Sequence, residues 1–271
     1  MSMSVTSLHV YPLKGCHGTD LTGATVTPRG FRHDRELMLV DPAGGFLSQR
    51  NLPLLALFHV RHDGTALTVT GPDGASFRHP IRTRGPRLPV RVHRSDTVGV
   101  DQGDQAARWF GSRLGRACRL VWFPEDQVRP VDPVYATAEV RFADAFPLLV
   151  TTQESLADLN ARLDQPVPMN RFRPSIVLTG WDRAWAEDQV RVLRIGRVEV
   201  ELVRRCGRCT VTTVDQDTGV TGPEPLRTLA TFRQEGQKLL FGVLGVPRVT
   251  GTVSVGDSVE VLEYADGFVP V

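Results

Sequence analysis

The chain has 271 residues, 41% of them hydrophobic and 23% charged, with a formal net charge of +2. That is a globular composition with a core to bury, in one large domain or two intimate ones. So small a net charge argues against nucleic acid as a partner, four cysteines argue against a disulfide scaffold, and no apolar run approaches the roughly 20 residues of a membrane span.

In chain order, Val5 to Tyr11 alternates and is rich in β-formers, which predicts a strand. The loop Pro12-Leu13-Lys14-Gly15 follows, then a strand from Leu21 to Thr27 and a third from Arg35 to Asp41. Pro42 to Gly45 turns the chain, and Phe46 to Arg50 returns along it. Turn signals recur at His62-Asp63-Gly64, Gly71 to Gly74 and Gly85-Pro86, the spacing of a β-barrel or sandwich. Asp101 to Arg116 switches to helical spacing, with Asp104 as cap and Gly115 as stop. Cys118 to Phe123 is a strand, and polar Pro124 to Asp132 reads as a domain connection. Phe146 to Thr151 is a strand, followed by a helix capped by Thr152 or Ser155. Asn170-Arg171-Phe172-Arg173-Pro174 leads into the strand Ser175 to Leu178. Trp181 to Glu187 is irregular. Val190 to Ile195 and Val198 to Val203 form a hairpin about Gly196. Pro225 to Gly236 is a short helix, and Gly251 to Leu262 a strand pair. The fold class is therefore α+β, predominantly β, with domains at 1–124 and 125–271. Met1 to Pro12 carries no targeting pattern, so a cytoplasmic protein with reduced thiols is expected.

The stretch from Arg204 to Gly219 concentrates the chemistry. Cys206 and Cys209 stand two residues apart among Arg204, Arg205 and Arg208, whose charges favour thiolate. A Cys-x-x-Cys pair reads as a redox dithiol, half a zinc site, or one soft-metal ligand beside a bystander. The dithiol motif opens a helix, whereas the β-branched run Thr210 to Val214 predicts a strand. Structural zinc wants a second ligand pair, and neither another Cys pair nor His-x-x-x-His is present. A single thiolate suits a thiophilic metal held mostly by something else, such as the dithiolene of a large anionic cofactor. Such a group needs basic side chains on scattered loops. Lys14, Arg35, Arg50, Arg171 and Arg173 sit near predicted strand ends, although each alone reads as a solvated surface charge. Lysine occurs only at Lys14 and Lys238, so arginine forks dominate. Asp215 and Asp217 are either proton donors or turn residues, and Trp181 and Trp185 either wall a pocket or pack a core.

These stretches carry a resemblance: Val10 to Lys14, Asp34-Arg35, Glu154 to Asn160, Asn170 to Pro174, Ala186 to Asp188, Cys206 to Gly219 and Val255 to Asp257. The sequence resembles the MOSC family, named for the C-terminal domain of molybdenum-cofactor sulfurase. It is most similar to the branch with an N-terminal β-barrel domain, which includes the mitochondrial amidoxime reducing component. The resemblance implies a MOSC-type β-barrel with an associated β-barrel-like domain and a molybdenum–pterin cofactor (molybdopterin). Cys209 would be the protein's ligand to molybdenum. Lys14, Arg35 and Arg173 would contact the pterin and its phosphate, joined by Arg50, Asn170, Arg171 and Thr210. Gly15 stands where relatives often carry serine. The implied activity is reduction of N-hydroxylated or N-oxygenated compounds. The chain shows no flavin or nicotinamide signature, so electrons would come from a separate donor protein and its reductase. A cofactor carrier, or a sulfur-transfer protein holding persulfide on Cys209, is the alternative. A β-barrel interaction module with structural cysteines is a third.

Overall fold

The computed structural model describes residues 2–271, and the chain is a predominantly β α+β protein with three α-helices and several sheets. The largest sheet has nine strands. Its order is Val259–Tyr264, Val190–Ile195, Val198–Gly207, Lys238–Val249, Leu148–Thr152, Ile176–Thr179, Ser4–Val10 and Thr19–Leu21, with Gln234–Glu235 paired onto Lys238–Val249. Period-2 patterning drives it: Val5, Leu8, Val198, Val200 and Leu202 enter one core with Val150, Ile176 and Leu178. Leu148–Thr152 and Ile176–Thr179 run parallel, which demands a crossover. That crossover contains the helix Gln153–Asn160, and of its two expected cap candidates Thr152 is the cap, accepting from Ser155 N.

The other sheets are smaller. Leu37–Val40, Arg119–Trp122, Ser95–Asp101 and Arg87–Val92 form four strands, and His59–His62, Ala66–Thr70 and Ser76–Pro80 form three. The helix Asp104–Leu114 buries Ala106, Phe110 and Leu114 in a core with Phe58, Leu67 and Leu120, and ends on Gly115 at φ 64°. The expected 124/125 boundary is crossed by the sheets. Ser4–Val10 pairs with Ile176–Thr179, and Gly23–Thr27 pairs with Gly251–Ser254.

Two expected strand ends are turns. Arg35 precedes the strand Leu37–Val40 at φ 46°. The return after Gly45 makes only a bridge from Phe46 to Val40, and Arg50 lies in a turn. A third correction concerns Thr210 to Val214. Thr210–Thr213 is a 3-10 turn, closed by Thr212 Oγ1 donating to Cys209 O at 2.9 Å and Thr213 Oγ1 donating to Thr210 O at 2.8 Å. Local hydroxyl-to-backbone bonds override β-propensity here. The segment is still no α-helix of the dithiol type.

Behind the large sheet, Ala186–Gln189 buries two carboxyls. Glu187 is fully buried and accepts from Ser155 Oγ at 2.9 Å and Thr152 Oγ1 at 3.2 Å. Burial, then the neighbouring Asp188, pushes its pKa from 4.5 to about 7. The folded chain therefore holds a proton that the unfolded chain releases above pH 4.5. Its contribution is complete below that pH and is lost as pH rises through about 7. Glu187→Gln should flatten this part of the pH–stability curve and stabilise the protein at alkaline pH by on the order of 2 kcal/mol. Thermal unfolding across the window checks it; an unchanged slope contradicts it. Trp185 packs edge-on against Phe232 and Phe241, and Trp181 against the main core, so both tryptophans are packing residues.

Candidate functional site

A cleft of about 350 Å³ opens where the loops of both halves meet. Its wall includes seven cations (Lys14, Arg35, Arg50, Arg173, Arg204, Arg208 and Lys238) and one carboxylate, Asp144. Both lysines of the chain are therefore here. Lys14 and Arg35 have carboxylate partners, Asp144 and Asp34. Among the described residues the other five have none.

The inner end is built on Tyr11. Its backbone N–H donates to Asp34 Oδ1 at 2.9 Å, and its carbonyl accepts from Arg35 N at 2.8 Å. The Arg35 and Arg173 guanidiniums lie 4.3 and 4.2 Å from the Tyr11 ring centroid. Both arginines adopt left-handed backbone conformations, φ 46° and 55°, a strain of about 1–3 kcal/mol each that ligand clamps commonly carry. Burial pushes the Tyr11 hydroxyl up to about 12 against the pull of Arg173 and Arg35. Arg35 is neutralised by Asp34 at 2.6 Å. Arg173 is 9% exposed and its guanidinium donates only to Gln216 Oε1, at 3.3 Å; burial lowers its pKa. An unpaired buried cation is costly unless an anion arrives to meet it.

Lys14, 7% exposed, donates to Phe142 O at 2.8 Å and to the Asp144 carboxylate. Burial lowers its pKa, and Asp144 opposes the shift. Burial would raise Asp144, but Lys14 and the His93 ring, 2.9 Å away, hold it well below the usual carboxylate range.

The thiol end corrects the expectation about the neighbouring arginines. The strand Val198–Gly207 carries register shifts between Leu202 and Arg204 and between Arg205 and Gly207. Such bulges re-aim side chains. Arg205 is buried, donating to Val269 O at 2.6 Å and pairing with Glu235 at 2.7 Å, while Arg204 lies over Tyr135. Arg208 donates to Cys206 Sγ at 3.0 Å and to Phe172 O at 2.6 Å. The guanidinium at Cys209 comes from far away in sequence: Arg50 Nη2 is 3.5 Å from its Sγ. Cys206 is buried and Cys209 half-buried, and both line the cleft.

Three expected binding residues do not line it. Arg171 donates to Thr213 O and pairs with Asp215, each at 2.9 Å. It fastens the loop behind Cys209 instead of facing the cleft. Thr210 is exposed, and its carbonyl closes the 3-10 turn. Asn170 lies in the 3-10 turn Met169–Phe172 with Oδ1 buried and unpartnered. Asp215 Oδ1 accepts from Asp217 N, Thr218 N and Thr218 Oγ1, which makes it a turn residue.

Sequence reasoning missed the amide clasp beneath the cleft. Gln49 and Gln216, 1% and 2% exposed, exchange hydrogen bonds of 3.1 and 3.0 Å. Gln49 also donates to Gly15 O at 2.8 Å, and Gln216 to Val214 O at 3.0 Å. The clasp joins the loops bearing Lys14, Arg50, Arg173 and Cys209. A lone glutamine in a polar loop gives no periodic signal, so only proximity to Arg50 and Asp215 marked these positions. Gln49→Leu should cost about 1–3 kcal/mol, because it strands the Gln216 amide. The double leucine variant should cost less than the sum of the singles. Denaturant midpoints of the three variants check this; strict additivity contradicts it.

A His33–Glu36–His62 cluster lies outside the cleft. Gly64 N donates to His62 Nδ1 at 2.9 Å, which leaves the proton of the neutral ring on Nε2, the atom facing Glu36 at 3.6 Å. A protonated nitrogen offers no lone pair to a metal.

Comparison with known proteins gives a consistent result. The MOSC domain family matches residues 137–260, and the MOSC N-terminal beta barrel domain matches residues 2–117. Mitochondrial amidoxime-reducing component 1 of Homo sapiens is 36% identical over 281 residues, covering 96% of this chain and 83% of the relative. The Mus musculus protein of the same name is 35% identical, covering 96% and 82%. Mitochondrial amidoxime reducing component 2 of Homo sapiens is 35% identical, covering 94% and 82%.

Proposed function

The chain belongs to the MOSC family, in the branch with the N-terminal beta barrel domain, and from that premise we propose a molybdenum-cofactor-dependent reductase of N-hydroxylated and other N-oxygenated compounds. One observation carries the reading: Arg173 is buried with no carboxylate, in a cleft with seven cations, one carboxylate and a half-buried thiol. That donor set fits an anionic pterin phosphate at one end and a thiophilic metal at the other.

In this reading Cys209 is the thiolate ligand, and Arg50 stabilises its negative charge. Arg35 and Arg173, both packed on the Tyr11 ring, would hold the phosphate and pterin, and Lys14 would add a third positive group. Arg171 holds the loop that presents Cys209 through Thr213 O and Asp215, and Thr210 begins the turn that follows the cysteine. Gly15 supplies a carbonyl to the Gln49 clasp, and no side chain, where a serine would stand. Molybdenum, when bound, would supply the two-electron couple that removes oxygen from the substrate nitrogen. The electrons would come from a separate electron-carrier protein and its reductase.

The test uses protein purified with its cofactor, a reduced viologen dye and benzamidoxime. Turnover to benzamidine is expected. Bound molybdenum without turnover of any N-hydroxylated compound would sink the reductase reading.

A further inference from the structure

We propose that Lys238 and Arg50 form a charge filter at the mouth of the cleft, which favours neutral and anionic N-oxygenated substrates and expels cationic products. The inference rests on the reductase reading and centres on Lys238, to which that reading gives no role, with Arg50 beside Cys209 adding to the same positive field.

Lys238 opens the strand Lys238–Val249, immediately after the hairpin turn at Gly236. Its stem crosses Gly207, where a Cβ would lie 3.1 Å from Lys238 Cδ. Glycine at 207 therefore leaves the path by which this side chain reaches the cleft beside the cysteine pair. Its cross-strand neighbour is Glu235, the nearest carboxylate by register. That carboxylate is taken by Arg205 at 2.7 Å. Lys238 makes no ion pair among the described residues, and neither does Arg50. Both are exposed and both line the cleft. The one carboxylate in the wall, Asp144, is engaged by Lys14 and His93. Arg204 and Arg208, the remaining cations near the thiols, add to the same field.

An anionic cofactor meets the inner cations first, above all Arg173, which is buried without a carboxylate, since desolvated charge is compensated most strongly. Lys238 and Arg50 keep a positive potential where substrate enters. The reaction itself creates the discrimination. A neutral amidoxime, R–C(NH2)=N–OH, takes two electrons and three protons and gives water and the amidinium, R–C(NH2)2⁺. The electrons come from the donor protein, or from a reduced viologen dye in the assay. The N–O bond breaks and the oxygen leaves as water. The substrate enters uncharged and the product leaves as a cation, so the mouth repels the product alone. A carboxylate on the substrate would be attracted.

The experiment titrates cofactor-loaded, oxidised protein with benzoate and with benzamidinium by calorimetry, for wild type, Lys238→Glu and Lys238→Arg. Wild type should bind benzoate about 5-fold or more tighter than benzamidinium at low ionic strength, with the gap shrinking as salt is added. Lys238→Glu should shift the ratio toward benzamidinium by about 5-fold, and Lys238→Arg should keep the wild-type order. In parallel, the kcat/KM ratio for a carboxylate-bearing against a trimethylammonium-bearing benzamidoxime should fall in Lys238→Glu. Using ratios cancels any change in dye reactivity. Wild type that prefers benzamidinium, or a preference unmoved by Lys238→Glu, overturns the filter. If no amidoxime turns over, the reductase reading fails, while the two titrations still decide the filter.

Discussion

Cys209→Ala is expected to lose molybdenum-linked turnover by about 100-fold or more, while Cys206→Ala keeps most of it. The two thiols share a cleft but not an environment. Cys209 is half-buried beside Arg50, with its backbone extended ahead of the Thr210–Thr213 turn. Cys206 is buried in the bulged end of the strand and is already engaged by Arg208 at 3.0 Å. Removing Cys206 leaves Arg208 bonded to Phe172 O, so the loop keeps an anchor. Turnover per molybdenum, with metal content measured on the same samples, separates lost ligand from lost chemistry. Equal losses in the two variants would contradict the asymmetry.

The second large effect is at Arg173. Arg173→Met should cut cofactor retention about 10-fold or more and at the same time stabilise the cofactor-free protein by about 1–3 kcal/mol. The opposite signs follow from one fact. The guanidinium is buried without a carboxylate, so it burdens the empty protein and serves only when an anion is present. Loss of its contact with Tyr11, at 4.2 Å, offsets part of the gain. Molybdenum and pterin content, with thermal unfolding of the cofactor-free protein, check both halves. A destabilised empty protein that still retains cofactor would contradict the assignment.

Legibility in the sequence differs from residue to residue. Strands with clean alternation and a cap with a hydroxyl were legible: Ser4–Val10, Val190–Ile195 and the Thr152-capped helix lie where periodicity put them. Lys14, Arg35, Arg173 and Cys209 lie in recognisable motifs, Arg50 only near one, and all five line one cleft. The failures share a cause, the reading of neighbours in sequence as neighbours in space. Arg205 flanks the cysteine pair, yet the bulged strand turns it to Val269 O and Glu235, and the guanidinium at Cys209, Arg50, comes from 159 positions away. Thr210 to Val214 has the composition of a strand, but two hydroxyls close it into a turn. Arg171 looked like a ligand contact and is a strut to Asp215. Gln49, Gln216, Asp144 and Lys238 act through burial, clasping or lack of a partner, none of which is written in composition or spacing.

The most direct measurement of the central claim is the number of sulfur atoms around molybdenum. X-ray absorption at the molybdenum edge should find about one sulfur fewer in Cys209→Ala than in wild type, and no change in Cys206→Ala. An unchanged count in Cys209→Ala, or a wild-type protein with pterin and molybdenum supplied that holds neither, would contradict it.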